Sequence, residues 1–164
     1  MINRKSKEET KRRREAGHIV ALVHQKMRGD IETGISTKEL DAIAEKIIKA
    51  VRAIPTFLGY QGFPGSICAS INEEVVHGIP SKDRILKEGD IISIDVGATY
   101  GGLVGDGAWT YPVGKISAEV QKLLATTEEA LFAGIKQMKE GNVLDDVSSA
   151  IERVANREKF GIVR

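Results

Sequence analysis

An α+β fold, an antiparallel sheet with helices on one face, is predicted for this 164-residue sequence by three features. Two amphipathic helical patterns open the chain, each behind a capping box. A block of short β-type runs separated by glycine-containing turns fills the middle, and helical periodicity returns after residue 117. Helices grouped before and after a run of adjacent strands mark an α+β plan rather than an alternating parallel sheet.

Ser6 with Glu9 three positions on is a capping-box spacing that satisfies free amides at a helix start. The helix it predicts runs to about Met27 and carries Ala16, Ile19, Val20, Val23 and Met27 at three- and four-residue steps, one stripe for burial. Its remaining faces are charged. The basic run 11–14 has Glu8 and Glu9 four positions before Arg12 and Arg13, so it reads as a solvated, internally paired face, with ribosomal RNA as the alternative contact. After a turn over 28–34, Ser36 and Glu39 form a second capping box. The helix behind it carries Leu40, Ile43, Ala44, Ile47, Ile48 and Val51, and Pro55 limits its length. Residues 59–65 hold three glycines, a proline and two aromatics, a loop composition suited to shaping a pocket.

Residues 66–71 and 74–78 flank Asn72 and Glu73 and predict a hairpin, with His77 at the end of its second strand. Residues 91–96 form a third strand after a turn at 88–90, 97–107 read as glycine-rich turns around Leu103 and Val104, and 109–113 as another strand. Helical periodicity spans 117 to about 139 through Val120, Leu123, Leu124, Leu131, Ile135 and Met138, with Gly141 as a stop. A last helix covers about 145–159, and 160–164 resembles the first residues of a strand.

The length fits one domain, residues 1–164, and 41% hydrophobic residues suffice for one packed core. With 24 Lys and Arg against 23 Asp and Glu the net charge is +1, too small a field for a dedicated DNA- or membrane-surface binder. A single cysteine, Cys68, excludes an internal disulfide framework and fits a reducing compartment. The start of the chain lacks the apolar run of a signal peptide, and no stretch approaches a membrane span, so a cytoplasmic location is expected.

Asp95 lies between Ile94 and Val96 in the most apolar strand, where an ionised carboxylate needs a partner or a cation. Asp106 follows eleven residues later in a stretch of small residues that could bring it opposite Asp95 across a hairpin. Two such carboxylates suit a divalent metal when nitrogen donors complete the set; the plainer reading is a hydrogen-bonded strand aspartate and a turn residue. His77, at a strand end beside a turn, is placed as a proton donor or substrate contact, or is satisfied by a nearby carbonyl. His18 and His24 read as surface or boundary packing. Cys68 has no basic neighbour in sequence to activate it and reads as a small apolar wall, and Tyr60 and Phe63 serve either packing or a pocket.

These motifs together resemble the type I methionine aminopeptidases of the creatinase/aminopeptidase, or pita-bread, family. Those carrying the likeness include Arg14-Glu-Ala-Gly-His-Ile-Val-Ala21, Gly34-Ile-Ser-Thr-Lys-Glu-Leu-Asp41, Gly59-Tyr-Gln-Gly-Phe-Pro-Gly-Ser-Ile-Cys68, Ser70-Ile-Asn-Glu-Glu-Val-Val-His-Gly-Ile-Pro80, Glu88-Gly-Asp-Ile-Ile-Ser-Ile-Asp-Val-Gly97 and Gly105-Asp106. The resemblance spans Ile2 to Arg164 and implies the N-terminal half of a pita-bread fold. It implies hydrolytic removal of the initiator methionine from nascent polypeptide N-termini. Asp95 and Asp106 would be metal ligands, His77 a catalytic and substrate-contacting histidine, and Tyr60, Phe63 and Cys68 the methionine pocket. The cofactor would be two divalent ions, Co, Mn, Fe or Zn.

The family's other ligands, one histidine and two glutamates, lie beyond the matching stretch. The 164 residues are therefore expected to be a truncated catalytic domain with weak or incomplete metal binding and little activity alone. Self-association, or pairing with a C-terminal half, is expected for the same reason. Gly107 stands where the family pattern leads one to expect serine or threonine. A non-catalytic partner-binding module of the same fold is the competing reading.

Overall fold

A computed structural model describes residues 4–163. Residues 1–3 of the start read above, and Arg164 at the end of the strand-like 160–164 run, lie outside the described residues. Both predicted capping boxes form. Ser6 Oγ accepts from the Glu9 amide at 3.2 Å while Glu9 Oε2 accepts from the Ser6 amide at 2.7 Å, opening α1 (Lys7–Met27). Ser36 and Glu39 repeat the exchange at 3.2 and 2.9 Å and open α2 (Thr37–Ala50). Glu8 reaches Arg12 at 3.9 Å, whereas the Glu9 carboxylate is engaged by its cap.

The sheet comprises β1 (Ile54–Pro55), β2 (Ile67–Ile71), β3 (Ile91–Tyr100) and β4 (Leu103–Pro112). β3 is its spine: β1 and β2 pair along one edge and β4 along the other, all antiparallel. The two-residue period of β3 makes the sheet two-faced. Ile92, Ile94, Val96 and Ala98 are buried with Ile67 and Ala69 against Val20, Val23 and Met27 of α1 and Leu40, Ala44 and Ile48 of α2, so both helices cover one face. The opposite face carries Ser93, Asp95, Gly97 and Thr99, with Cys68 and Ser70 of β2 and Asp106, Ala108 and Thr110 of β4 as their register partners. Ser93 and Thr110 hydroxyls pair at 2.7 Å, and Thr56 and Thr99 at 2.9 Å. Burying each large apolar side chain of the covered face contributes about 1.5–3 kcal/mol, so the sheet's orientation is settled by that face.

Three expectations are corrected. Residues 74–78 are not a strand: Asn72 (φ 53°) and His77 (φ 62°) take left-handed backbone that interrupts extended pairing, and Val75 and Val76 are exposed. The glycine-rich stretch and the strand expected at 109–113 are one ten-residue strand, β4, in register with the whole of β3. Its glycines serve close packing rather than turns, which are confined to Gly101 and Gly102. Residues 160–163 form no strand.

The chain divides into two compact units at Ile116 and Ser117. The second is a pair of helices, α3 (Ala118–Gln137) and α4 (Leu144–Glu158). They meet along a seam of small residues, with Gly134 under Ile151 and Val147, and are tied by Arg157–Glu129 and Lys122–Glu158 ion pairs. No helix among the described residues is long and apolar enough to cross a membrane.

Candidate metal centre and its pocket

Asp95 and Asp106 are brought to the polar face of the sheet by register. Cys68 stands opposite Asp95 on one side and Ala108 on the other, while Asp106 stands opposite Gly97. The two aspartates are thus diagonal neighbours on one face rather than directly opposed, a spacing still within reach of their side chains. Gly97 leaves the intervening position without a side chain, and the Phe57 ring occupies the space: a Cβ there would lie 2.6 Å from Phe57 Cε1.

Asp95 Oδ1 is buried and has no hydrogen-bond partner. Burial, and then the Asp106 carboxylate, push the Asp95 carboxyl above its ordinary range, against the smaller opposing effects of His77 and the Val96 amide. The same burial, with the charges of Asp95 and Asp106, pushes the Cys68 thiol up to about 11. A buried carboxylate oxygen with nothing to bind, next to a second carboxylate, fits a divalent cation, which would neutralise the repulsion and accept the unused lone pair. Among the described residues there is no group of three or more His, Cys, Asp or Glu arranged to hold a metal.

One cavity of about 610 Å³ joins all six residues singled out from the sequence: Tyr60, Phe63, Cys68, His77, Asp95 and Asp106. The loop supplying Tyr60 and Phe63 is closed by hydrogen bonds from the Gly59 amide to the Phe63 carbonyl (2.9 Å) and from the Phe63 amide to the Tyr60 carbonyl (2.9 Å). Gly59, Gln61 and Gly62 are left-handed there, which bends the chain tightly enough to place both rings on the cavity wall. Cys68 is inert by environment, a protonated thiol in the wall. The sequence reading missed Phe57, Pro64 and Ile79, which also line the cavity. The signal available for Phe57 and Ile79 was proximity: one lies two residues before Gly59, the other two after His77.

His24, read as packing, uses both ring nitrogens. Nε2 lies 2.9 Å from the Gly107 carbonyl, which only accepts, so Nε2 donates; Nδ1, 2.9 Å from the Tyr111 hydroxyl, accepts from it in the neutral ring. This ties α1 to β4 one residue from Asp106.

An α+β sheet that presents a partly buried acid pair beside an aromatic-walled cavity fits a cation-dependent site. The metallopeptidase family M24 profile matches residues 11–164, and the chain belongs to that family. It is 57% identical over 151 residues to methionine aminopeptidase 1 of Bacillus subtilis (92% of this chain, 60% of that protein) and 46% identical over 164 residues to the methionine aminopeptidase of Clostridium acetobutylicum (100% and 66%). The crystal structure of methionine aminopeptidase from Rickettsia prowazekii superposes with a TM-score of 0.97 at 34% identity, covering 100% of this chain and 66% of that one. The chain spans less than two thirds of these relatives' lengths. The resemblance to the pita-bread family and the α+β class expected from the sequence are borne out.

Proposed function

We propose that the chain carries part of the metal centre and the methionine pocket of a methionine aminopeptidase, acting on the N-termini of nascent proteins. The observation that carries this reading is the orphaned Asp95 Oδ1 beside Asp106 in a cavity walled by Tyr60, Phe63 and Cys68. Asp95 and Asp106 would hold two divalent ions of the Mn, Fe, Co or Zn type, whose oxygen and nitrogen preferences suit carboxylate with imidazole. Such ions supply Lewis-acid polarisation of a peptide carbonyl and ionisation of water near neutral pH. The chain's own residues do the rest. The aromatic walls take an unbranched thioether side chain, the protonated Cys68 thiol adds a small soft contact without acting as nucleophile, and His77 hydrogen-bonds the peptide at the cavity mouth. Two carboxylates leave a dinuclear shell short of donors, so methionine release by these 164 residues alone is expected to be slow.

The test is thermal unfolding with and without Mn²⁺. Without metal, Asp106→Asn is expected to equal or exceed the wild type in stability, because it removes repulsion on Asp95. At Mn²⁺ concentrations about a hundred times the dissociation constant, the wild type gains about 2.7 kcal/mol and the variant does not. Equal Mn²⁺ responses in the two proteins would leave the acid pair without a metal role and favour the non-catalytic module.

A further inference from the structure

The segment that presents His77 has no strand partner, yet it is held at both ends by one side chain. Arg84 Nη1 donates to the Ile79 carbonyl at 3.2 Å and to the Ala69 carbonyl at 3.3 Å, while Nη2 pairs with Glu74. Glu74 in turn accepts from the Ile71 amide at 2.9 Å. Ala69 lies on β2, and its outward amide donates to the Gly78 carbonyl at 2.8 Å. Arg84 and Gly78 therefore close the outer edge of β2 that would otherwise be unpaired at this point.

The approach is tight. A Cβ on Gly78 would lie 2.3 Å from the Ala69 carbonyl oxygen, and the Gly78 amide donates to Ser70 Oγ at 3.0 Å. Between the two clamped points sits His77 in left-handed backbone (φ 62°), a conformation a non-glycine residue holds only when its surroundings impose it. Arg84 itself is fixed from behind, its carbonyl accepting from the Thr37 amide at the start of α2 at 2.9 Å. A planar fork with several donors bridges two carbonyls and a carboxylate at once, which an ammonium does not.

We propose that Arg84 is the positioning residue for His77. Its guanidinium pins Glu74 and Ile79 to β2 and so holds the His77 imidazole at the cavity beside Asp95. This rests on the functional reading only for the consequence, that a methionyl peptide meets a preset imidazole; the clamp is measurable without it.

The experiment is NMR on the 164-residue chain, following the imidazole signals of the three histidines and amide exchange at Gly78. Arg84→Ala is expected to shift and broaden the His77 signals and to speed Gly78 exchange about tenfold or more, as loss of charge-assisted bonds implies, while His18 and His24 stay in place. Arg84→Lys is expected to recover less than half of the His77 shift. Glu74→Gln, the milder change should Arg84→Ala fail to fold, is expected to move His77 and Gly78 the same way by a smaller amount. His77 and Gly78 unchanged in either Arg84→Ala or Glu74→Gln overturns the proposal. Titration with Met-Ala-Ser in diamagnetic Zn²⁺ is expected to shift His77 in the wild type and to need several-fold more peptide in Arg84→Ala. A wild-type His77 that ignores the peptide overturns the peptidase reading while the exchange data still decide the clamp.

Discussion

Gly105 of β4 lies against the backbone of Ala16 in α1 so closely that a Cβ on Gly105 would be 2.4 Å from the Ala16 carbonyl carbon. Neither a rotamer change nor a flexible tip relieves a clash with helix backbone. Gly105→Ala is therefore expected to destabilise the fold by about 3 kcal/mol or more, at the upper end of overpacking costs. Urea unfolding of the variant checks this; a loss below about 1 kcal/mol would show that α1 can withdraw from β4 without penalty.

Asp41 of α2 is buried and its Oδ1 accepts from the Ser66 and Ile67 amides at 2.6 and 3.2 Å, while Oδ2 accepts from Lys38 at 2.7 Å. The carboxylate thereby anchors the first residues of β2 just ahead of Cys68. Asp41→Ala strands two buried donors, at about 1–3 kcal/mol each, and Asp41→Asn, which keeps an acceptor, is expected to cost less. The ranking is read from unfolding midpoints, and equal losses for the two variants would contradict it.

Burial pushes His24 below its ordinary value of 6.5, with the Gly107 carbonyl opposing in part. Between the folded and unfolded values the unfolded chain binds more protons. Stability from this residue is thus complete above 6.5 and falls as pH drops from there through the folded value. The wild type is expected to lose stability relative to His24→Gln as pH is lowered from 7.5 to 5. Melting curves of both proteins across that range test it, and a pH-independent difference would remove His24 from the acid response.

Cys68 is buried beside two carboxylates, and its thiol is pushed from 9.0 up to about 11. At neutral pH it holds about a hundredfold less thiolate than an ordinary cysteine. Alkylation of the native chain is expected to be slower than that of the urea-unfolded chain by at least this factor. Asp95→Asn should accelerate it by removing a facing charge. Rates from iodoacetamide labelling decide the matter, an unaffected Asp95→Asn rate being the contrary result.

Local chemistry was readable wherever its period or spacing is short. The Ser6–Glu9 and Ser36–Glu39 boxes and the α1 and α2 stripes each involve neighbours within four residues, and each formed as expected. The candidate site was recognisable because an acid at Asp95 contradicts the apolarity of its own strand. The failures have a common origin. Glycines at 97, 101, 102, 105 and 107 suggest turns locally, but Gly97 and Gly105 are demanded by Phe57 and Ala16, which are distant in sequence. Val75 and Val76 suggest a strand, but the left-handed backbone at Asn72 and His77 turns the segment into a clamped loop.

By itself the sequence determined the α+β class, the helix starts and the oddity of an acid at Asp95 inside an apolar strand, because these follow from periodicity and from the cost of burying charge. The tertiary structure alone decided that Asp106 falls opposite Gly97, that His24 grips the Gly107 carbonyl and that Arg84 holds the loop carrying His77. Strand register and side-chain reach across dozens of residues depend on how whole surfaces pack, and no local pattern encodes that.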